Sequence, residues 1–157
     1  MLRSAPCDIR VADFAEPQTL ELLALHLAGM RENSPPESVF ALDLSGLRSP
    51  DVTVWTAWRG LRIAGIGALK ALEDNTAEVK SMRTHPAHLR NGVAAQMLAH
   101  IIAVARMRGY TRLSLETGRG EAFEPALNLY RRRGFVEGKA FSGYPENKFS
   151  QFFHLKL

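Results

Sequence analysis

Two periodicities follow one another along residues 78–105, EVKSMRTHPAHLRNGVAAQMLAHIIAVA. Val79, Ser81 and Arg83 alternate with Lys80, Met82 and Thr84, the two-residue repeat of a strand. Pro86 has no N–H for a ladder and ends it. Gly92 marks a turn. From there Ala94, Met97, Leu98, Ile101, Ile102 and Ala105 recur at the spacing of one buried helix face. The flanking sequence predicts a strand over residues 8–14 and a helix over 18–30, with Leu22, Leu25 and Leu27 among its apolar residues. A loop over 31–36 follows, then a short helix opened by Pro35 or Pro36 and running to 44. Strands over 51–58 and 61–72 meet at Arg59-Gly60, and a turn at 73–75 leads to the Glu78 strand. After the Gly92 helix come a strand over 111–117, a helix over 121–133, a strand from Phe135 and a last strand over 151–157. A strand meander followed by β-α-β-α-β predicts an α/β fold, an α+β sandwich around one mixed central sheet.

The turn before the long helix carries chemistry. Amides at a helix start have no intrahelical partner and suit an anion such as a pyrophosphate. A nucleotide-binding P-loop needs Lys and Ser/Thr directly after its Gly, where this chain has Val93 and Ala94. A dinucleotide fingerprint needs three spaced glycines, and here there is one. The segment Leu89-Arg90-Asn91-Gly92-Val93-Ala94 instead resembles the Q/R-x-x-G-x-G/A motif of the GNAT family of N-acetyltransferases. It departs from that motif at Leu89, although Arg90 beside it supplies a positive charge. A second segment, Ala126 to Phe135, reads ALNLYRRRGF and looks like the family's A-x-x-L-Y-x-x-x-G-F. The residues agree physically: Ala126, Leu129 and Tyr130 share a helix face, Arg131 to Arg133 fill the last turn, and Gly134 suits the C′ position.

The resemblance implies a sheet of about seven strands, splayed between the fourth and fifth, flanked by about four helices, with acetyl-CoA in the opening. Moving an acetyl group from a thioester to an amine needs a base, an oxyanion donor, an acid for the leaving thiolate, and alignment. The resemblance points to Glu78 as base, although an ordinary exposed strand Glu would read the same way. The amide of Met82 would stabilise the oxyanion, and Met82 and Thr84 would pair with the pantetheine arm; ordinary ladder pairing is the alternative. Amides from Arg90 to Ala95 (Arg90, Asn91, Gly92, Val93, Ala94 and Ala95) would hold the pyrophosphate, with Leu89 a further cofactor contact; a plain turn before a helix is the alternative. Tyr130 would be the general acid, since a phenol of reference pKa about 10 keeps its proton at neutral pH. Asn128 is a further candidate contact to the cofactor. The loop Thr117-Gly118-Arg119-Gly120 lacks the Asn that the family often has there and reads as a flexible turn. On the acceptor side the expected residues are Met30, Arg31, Ser34 and Tyr144. Arg31 could bind an acceptor carboxylate, or could be a solvent-facing charge after a helix.

Composition narrows the alternatives. The chain has 157 residues, 46% hydrophobic and 23% charged, as expected for one domain of a globular protein. Its formal net charge is +4. The basic residues are scattered without interleaved aromatics, which predicts no nucleic-acid partner. No apolar run is long enough to cross a membrane. Cys7, the one cysteine, allows no intrachain disulfide, and residues 1–7 contain no apolar signal core; both suit the cytoplasm. His85 and His88 lack companions for a metal site, and none is expected. Met30, Met82, Met97 and Met107 read as core or cleft lining. The sequence thus predicts an acetyl-CoA-dependent N-acetyltransferase for the primary amine of a small molecule or amino acid, by direct transfer in a ternary complex. A silent acyl-CoA sensor of the same fold, and an enzyme acting on protein N-termini or lysines, are the alternatives. Pairing into a homodimer is common in the family, but no interface stands out.

Overall fold

A computed structural model describes residues 5–157; the first part of the segment read as free of a signal core, residues 1–4, lies outside them. Among the described residues seven strands form one sheet in the order β1-β2-β3-β4-β5-β7-β6. They are β1 Asp8–Val11, β2 Val52–Arg59, β3 Arg62–Ala71, β4 Thr76–Thr84, β5 Arg112–Thr117, β6 Val136–Glu137 and β7 Gln151–Lys156. Four helices flank them: α1 Pro17–Asn33, α2 Leu44–Leu47, α3 Val93–Met107 and α4 Glu124–Arg132. All neighbours are antiparallel except β4 and β5. That parallel pair holds for only three steps, ending at Glu78↔Ser114. Beyond it β4 continues to Thr84 beside β3, β5 continues to Thr117 beside β7, and a notch opens between them.

The two faces of the sheet are covered differently. On one, α3 and α4 bury a large cluster that includes Val93, Met97, Leu98, Ile101, Leu113, Leu115, Leu127, Tyr130 and Phe153. Helix α3 lies close to β3 because Gly65 and Gly67 have no side chain. A Cβ at Gly65 would sit 2.8 Å from Val93, and one at Gly67 would sit 2.7 Å from Met97. On the other face, α1 and α2 cover a smaller cluster of Leu22, Leu23, Leu47, Val54, Trp58, Ile63, Ile66 and Ala68. Both α3 and α4 end in the same hydrogen-bonded cap. Gly134, at φ 93°, donates to the Arg131 carbonyl while Phe135 donates to that of Tyr130. Gly109 and Tyr110 repeat this on Arg106 and Ala105.

Several local expectations change. Helix α1 runs on through Arg31, Glu32 and Asn33, so the expected loop begins at Ser34. The second helix is split into a 3-10 turn at Pro36–Ser38 and the short α2, whose N-cap Asp43 accepts from the Gly46 amide at 2.8 Å. Glu121–Phe123 is a 3-10 turn leading into α4 rather than part of it. Leu25 and Met107 are exposed, and Val93 rather than Ala94 opens the buried stripe of α3. Gly118, expected in a flexible turn, is closely packed: a Cβ there would fall 2.4 Å from Phe149 and 2.7 Å from Phe123. The largest change is in β4, where alternation breaks. Ser81 has φ 58°, and the register with β3 slips between Ile66 and Ala68, which marks a β-bulge at Ser81 and Met82. Val79 and Met82, three apart, therefore both pack on the α3 cluster.

Candidate functional site

The notch between β4 and β5 widens into a cleft of about 170 Å³. The base of the cleft is polar. Glu78 is only 3% exposed, although it faces the cleft. Its Oε2 accepts from Lys80 Nζ at 3.2 Å and from the Tyr144 hydroxyl at 2.5 Å, and Lys80 also donates to that hydroxyl at 2.6 Å. Its Oε1 has no donor among the described residues. Tyr144 is wedged edge-on between Phe40 and Phe141. Burial, then the charge and hydrogen bond of Glu78, push its phenol far above the usual range, so it stays a donor. On β5, two residues beyond Ser114, the register partner of Glu78, Glu116 also lines the cleft. Burial raises it against the lowering effects of Ser150 and Lys80.

Tyr130 enters from α4, 6% exposed, and burial pushes it up to about 12. Met82, on the bulge, also lines the cleft. Neither Ser81 nor Met82 has a register partner on β3, and β5 has already left the ladder. Ser81 Oγ is buried without a partner among the described residues.

Past β4, a 3-10 turn at Pro86–His88 leads to α3. Arg90 at φ 63° and Gly92 at φ 76° both take the left-handed conformation, which glycine adopts without penalty. The Gln96 amide makes the first helical bond, to the Gly92 carbonyl, so the amides of Val93, Ala94 and Ala95 have no intrahelical acceptor. Arg59 braces this loop from β2, donating to the Asn91 carbonyl at 2.6 Å.

Of the residues expected at the site, the structure brings Glu78, Met82, Tyr130 and Met30 to one cleft, with Tyr144 directly behind Glu78. Thr84 is the last residue of β4, and its successors form the loop and first turn of α3 that hold Arg90 to Ala95, outside the cleft lining. Leu89 is 58% exposed. Arg31 and Asn128 are exposed and do not line the cleft, nor does Ser34, the buried C-cap of α1. Four charged or titratable lining residues are not among the expected site residues: His26, Lys80, Arg83 and Glu116. Lys80 had a visible signal, an opposite charge two positions from Glu78 on the same strand face. His26 and Arg83 meet across 57 positions and had none.

Among the described residues no three His, Cys, Asp or Glu side chains cluster to hold a metal, and no helix is long and apolar enough to cross a membrane.

Comparison with known proteins bears on what this cleft is. The Bacillus subtilis (strain 168) protein named uncharacterized N-acetyltransferase YsnE is 49% identical over 149 residues, covering 95% of this chain and 99% of its own. The Escherichia coli (strain K12) protein named uncharacterized N-acetyltransferase YedL is 46% identical over 149 residues, covering 95% and 94%. The fold matches a Bacillus subtilis acetyltransferase crystallised with CoA at TM-score 0.72 and 18% identity, over 96% of this chain and 99% of that one. The model of the Acetyltransferase (GNAT) family matches residues 19–135. With most of its length matched by that model and close to half its residues shared with such relatives, the chain belongs to the GNAT acetyltransferase family.

Proposed function

We propose that this protein is a single-domain, acetyl-CoA-dependent N-acetyltransferase, placed in the cytoplasm, that acts on the primary amine of a small molecule by direct transfer in a ternary complex. One observation carries the reading. Where β4 and β5 part, a carboxylate, a bulged strand residue without a register partner and a buried phenol line the same cleft. The fold neighbour crystallised with CoA supports the choice of donor.

Acetyl-CoA supplies an activated acyl carbon and a thiolate leaving group. The free amides of Val93 to Ala95, with Gly92 and Arg90, bind its pyrophosphate, and the β4 backbone at Met82 and Thr84 guides its arm to the notch. The amine attacks the thioester carbon, forming the C–N bond. The Met82 amide stabilises the negative oxygen that develops. Glu78 Oε1 takes the amine's proton, directly or through a water, while Lys80 and Tyr144 keep Oε2 in place. The C–S bond breaks, and Tyr130, protonated at neutral pH because burial holds it near 12, donates to the thiolate. Cys7 is not among the lining residues, so no acetyl-cysteine step is invoked.

Calorimetric titration with acetyl-CoA tests the reading. Wild type should bind in the micromolar range. Gly92→Glu should not, because it places bulk and negative charge where phosphates would sit; a thermal melt controls for the strain of Glu at positive φ. Tyr130→Phe should bind normally and lose on the order of 10²-fold in kcat. A wild type that does not bind acetyl-CoA sinks the proposal.

A further inference from the structure

The cleft lining contains a cation with no ion-pair partner among the described residues. Arg83 follows the β4 bulge and turns toward α1, where it lines the cleft half-buried. Among the described residues the ion pairs are Arg10–Asp8 and Lys80–Glu78, and neither involves Arg83. Lys80 is already committed to Glu78 and Tyr144. Burial works against the charge of Arg83, so the fold keeps a guanidinium here without a counterion.

Its position is built rather than incidental. Nε donates to Nδ1 of His26 at 3.1 Å. His26 is 5% exposed and, through burial and the charges of Arg83 and Lys80, is pulled down to about 4. It is therefore neutral at pH 7, with a lone pair for that bond. Below the guanidinium lies Gly29, inside α1, where a glycine weakens a helix. A Cβ at Gly29 would sit 3.0 Å from Nη2, 3.4 Å from Cζ and 3.5 Å from Nη1. The plane of the guanidinium thus lies against the helix at a point where no side chain intervenes. His26 occupies the Nε edge, and the fork of Nη1 and Nη2 has no acceptor among the described residues. A planar fork of this kind matches a carboxylate with two parallel hydrogen bonds.

We infer that Arg83, steadied by His26 and Gly29, receives a carboxylate of the acceptor, so that the amine acetylated here belongs to an amino acid or a similar carboxylated amine. This rests on the acetyltransferase reading above. It moves the carboxylate contact from Arg31, which is exposed and outside the cleft, to a residue 52 positions later that lines it.

The test follows thiol release from acetyl-CoA with the twenty common amino acids and, in parallel, their amides. Wild type should use at least one acid on the order of 10- to 100-fold better in kcat/KM than its amide, the range for hydrogen bonds to a charged group. Amide amines lose a proton more readily, so amine basicity would push the preference the other way. Arg83→Gln should raise KM for the acid by the same factor, leave kcat within about threefold and leave the amide unaffected. Gly29→Ala should raise KM for the acid a few-fold while melting no lower than wild type, a split that a purely structural role would not give. Equal use of acids and amides, or an Arg83→Gln loss shared by both, overturns the inference. So does a protein that binds acetyl-CoA yet uses none of the amino acids, and that outcome leaves the transferase reading standing. Absence of acetyl-CoA binding overturns both.

Discussion

The two faces of the sheet divide the work between them. The α3 face is carbon against carbon: Leu98, Ile101, Ala105 and Leu113 have no exposed surface, and glycines in β3 bring the helix close. Its polar features are backbone ones, the helix caps and the free amides after Gly92. The α1 face has a smaller apolar cluster and beside it much of the polar lining of the cleft: the charged Glu78, Lys80 and Arg83 and the neutral His26. A close-packed face fixes where a loop and a phenol sit. A polar face, whose contacts are hydrogen bonds between distant segments, can be re-cut for a different acceptor without disturbing the first. One family can thus keep its donor chemistry while its acceptors change, because function follows the site rather than the fold.

Truncation in the two cores should separate them most strongly. Ile101→Ala removes a side chain with 0% exposure from the α3 cluster and should cost about 4 kcal/mol by urea unfolding. Leu22→Ala on the α1 side, at 1% exposure, should cost about 2–3 kcal/mol, since a smaller cluster beside an open cleft relaxes more easily. A larger loss at Leu22 would reverse the comparison.

Acid should act through the α1 face. His26 titrates at 6.5 when unfolded and near 4 when folded. Between those values the unfolded chain binds the proton that the native one refuses, so stability rises with pH across the window. By pH 4 the loss reaches about 3 kcal/mol. His26→Gln should remove that part of the slope while leaving a slope of opposite sign from Glu116. Burial raises the Glu116 carboxyl above 4.5, so the native state holds its proton longer and stability falls as pH climbs from 4.5. Unfolding curves between pH 4 and 7 for wild type, His26→Gln and Glu116→Gln measure both. An unchanged slope in His26→Gln would show that the acid sensitivity lies elsewhere.

The same division governs what the sequence reveals. Helix α3, the Gly134 cap and the order of strands are written in short-range signals: a 3.6-residue repeat, a glycine after a basic turn, a proline after a strand. The motif resemblance supplies the splay, which no local pattern encodes. The bulge at Ser81 is invisible because the alternation of small, polar and apolar residues continues unbroken through it. What makes it work is Gly67 on the neighbouring strand, where a Cβ would lie 3.0 Å from Met82 Sδ. Glu78 reads as a strand carboxylate, and nothing nearby reveals that Tyr144, 66 positions on, will close over it. Gly29 carries no signal until Arg83 is seen against it. Residues of the acceptor side are defined by partners far along the chain, and a single sequence does not record such pairs.

The tie between Glu78 and Tyr144 gives the smallest expected effect and the sharpest test of that claim. The Tyr144 ring is held by Phe40, Phe141 and Phe152, so Tyr144→Phe should keep its packing and lose only the hydroxyl. Glu78 Oε2 then retains Lys80 alone, at 3.2 Å, and Lys80 loses its own contact to the phenol. A hydrogen bond to a charged group is worth about 1.5–3 kcal/mol, and with water able to reach the cleft the loss should fall near the lower figure. Glu78→Gln weakens the same contact from the other side, so the double variant should cost less than the sum of the two single ones by about 1 kcal/mol. Additive losses would mean that the C-terminal segment is fastened by its aromatic ring alone. The polar α1 face would then owe its order to the same carbon packing as the α3 face, and the contrast between the two would vanish.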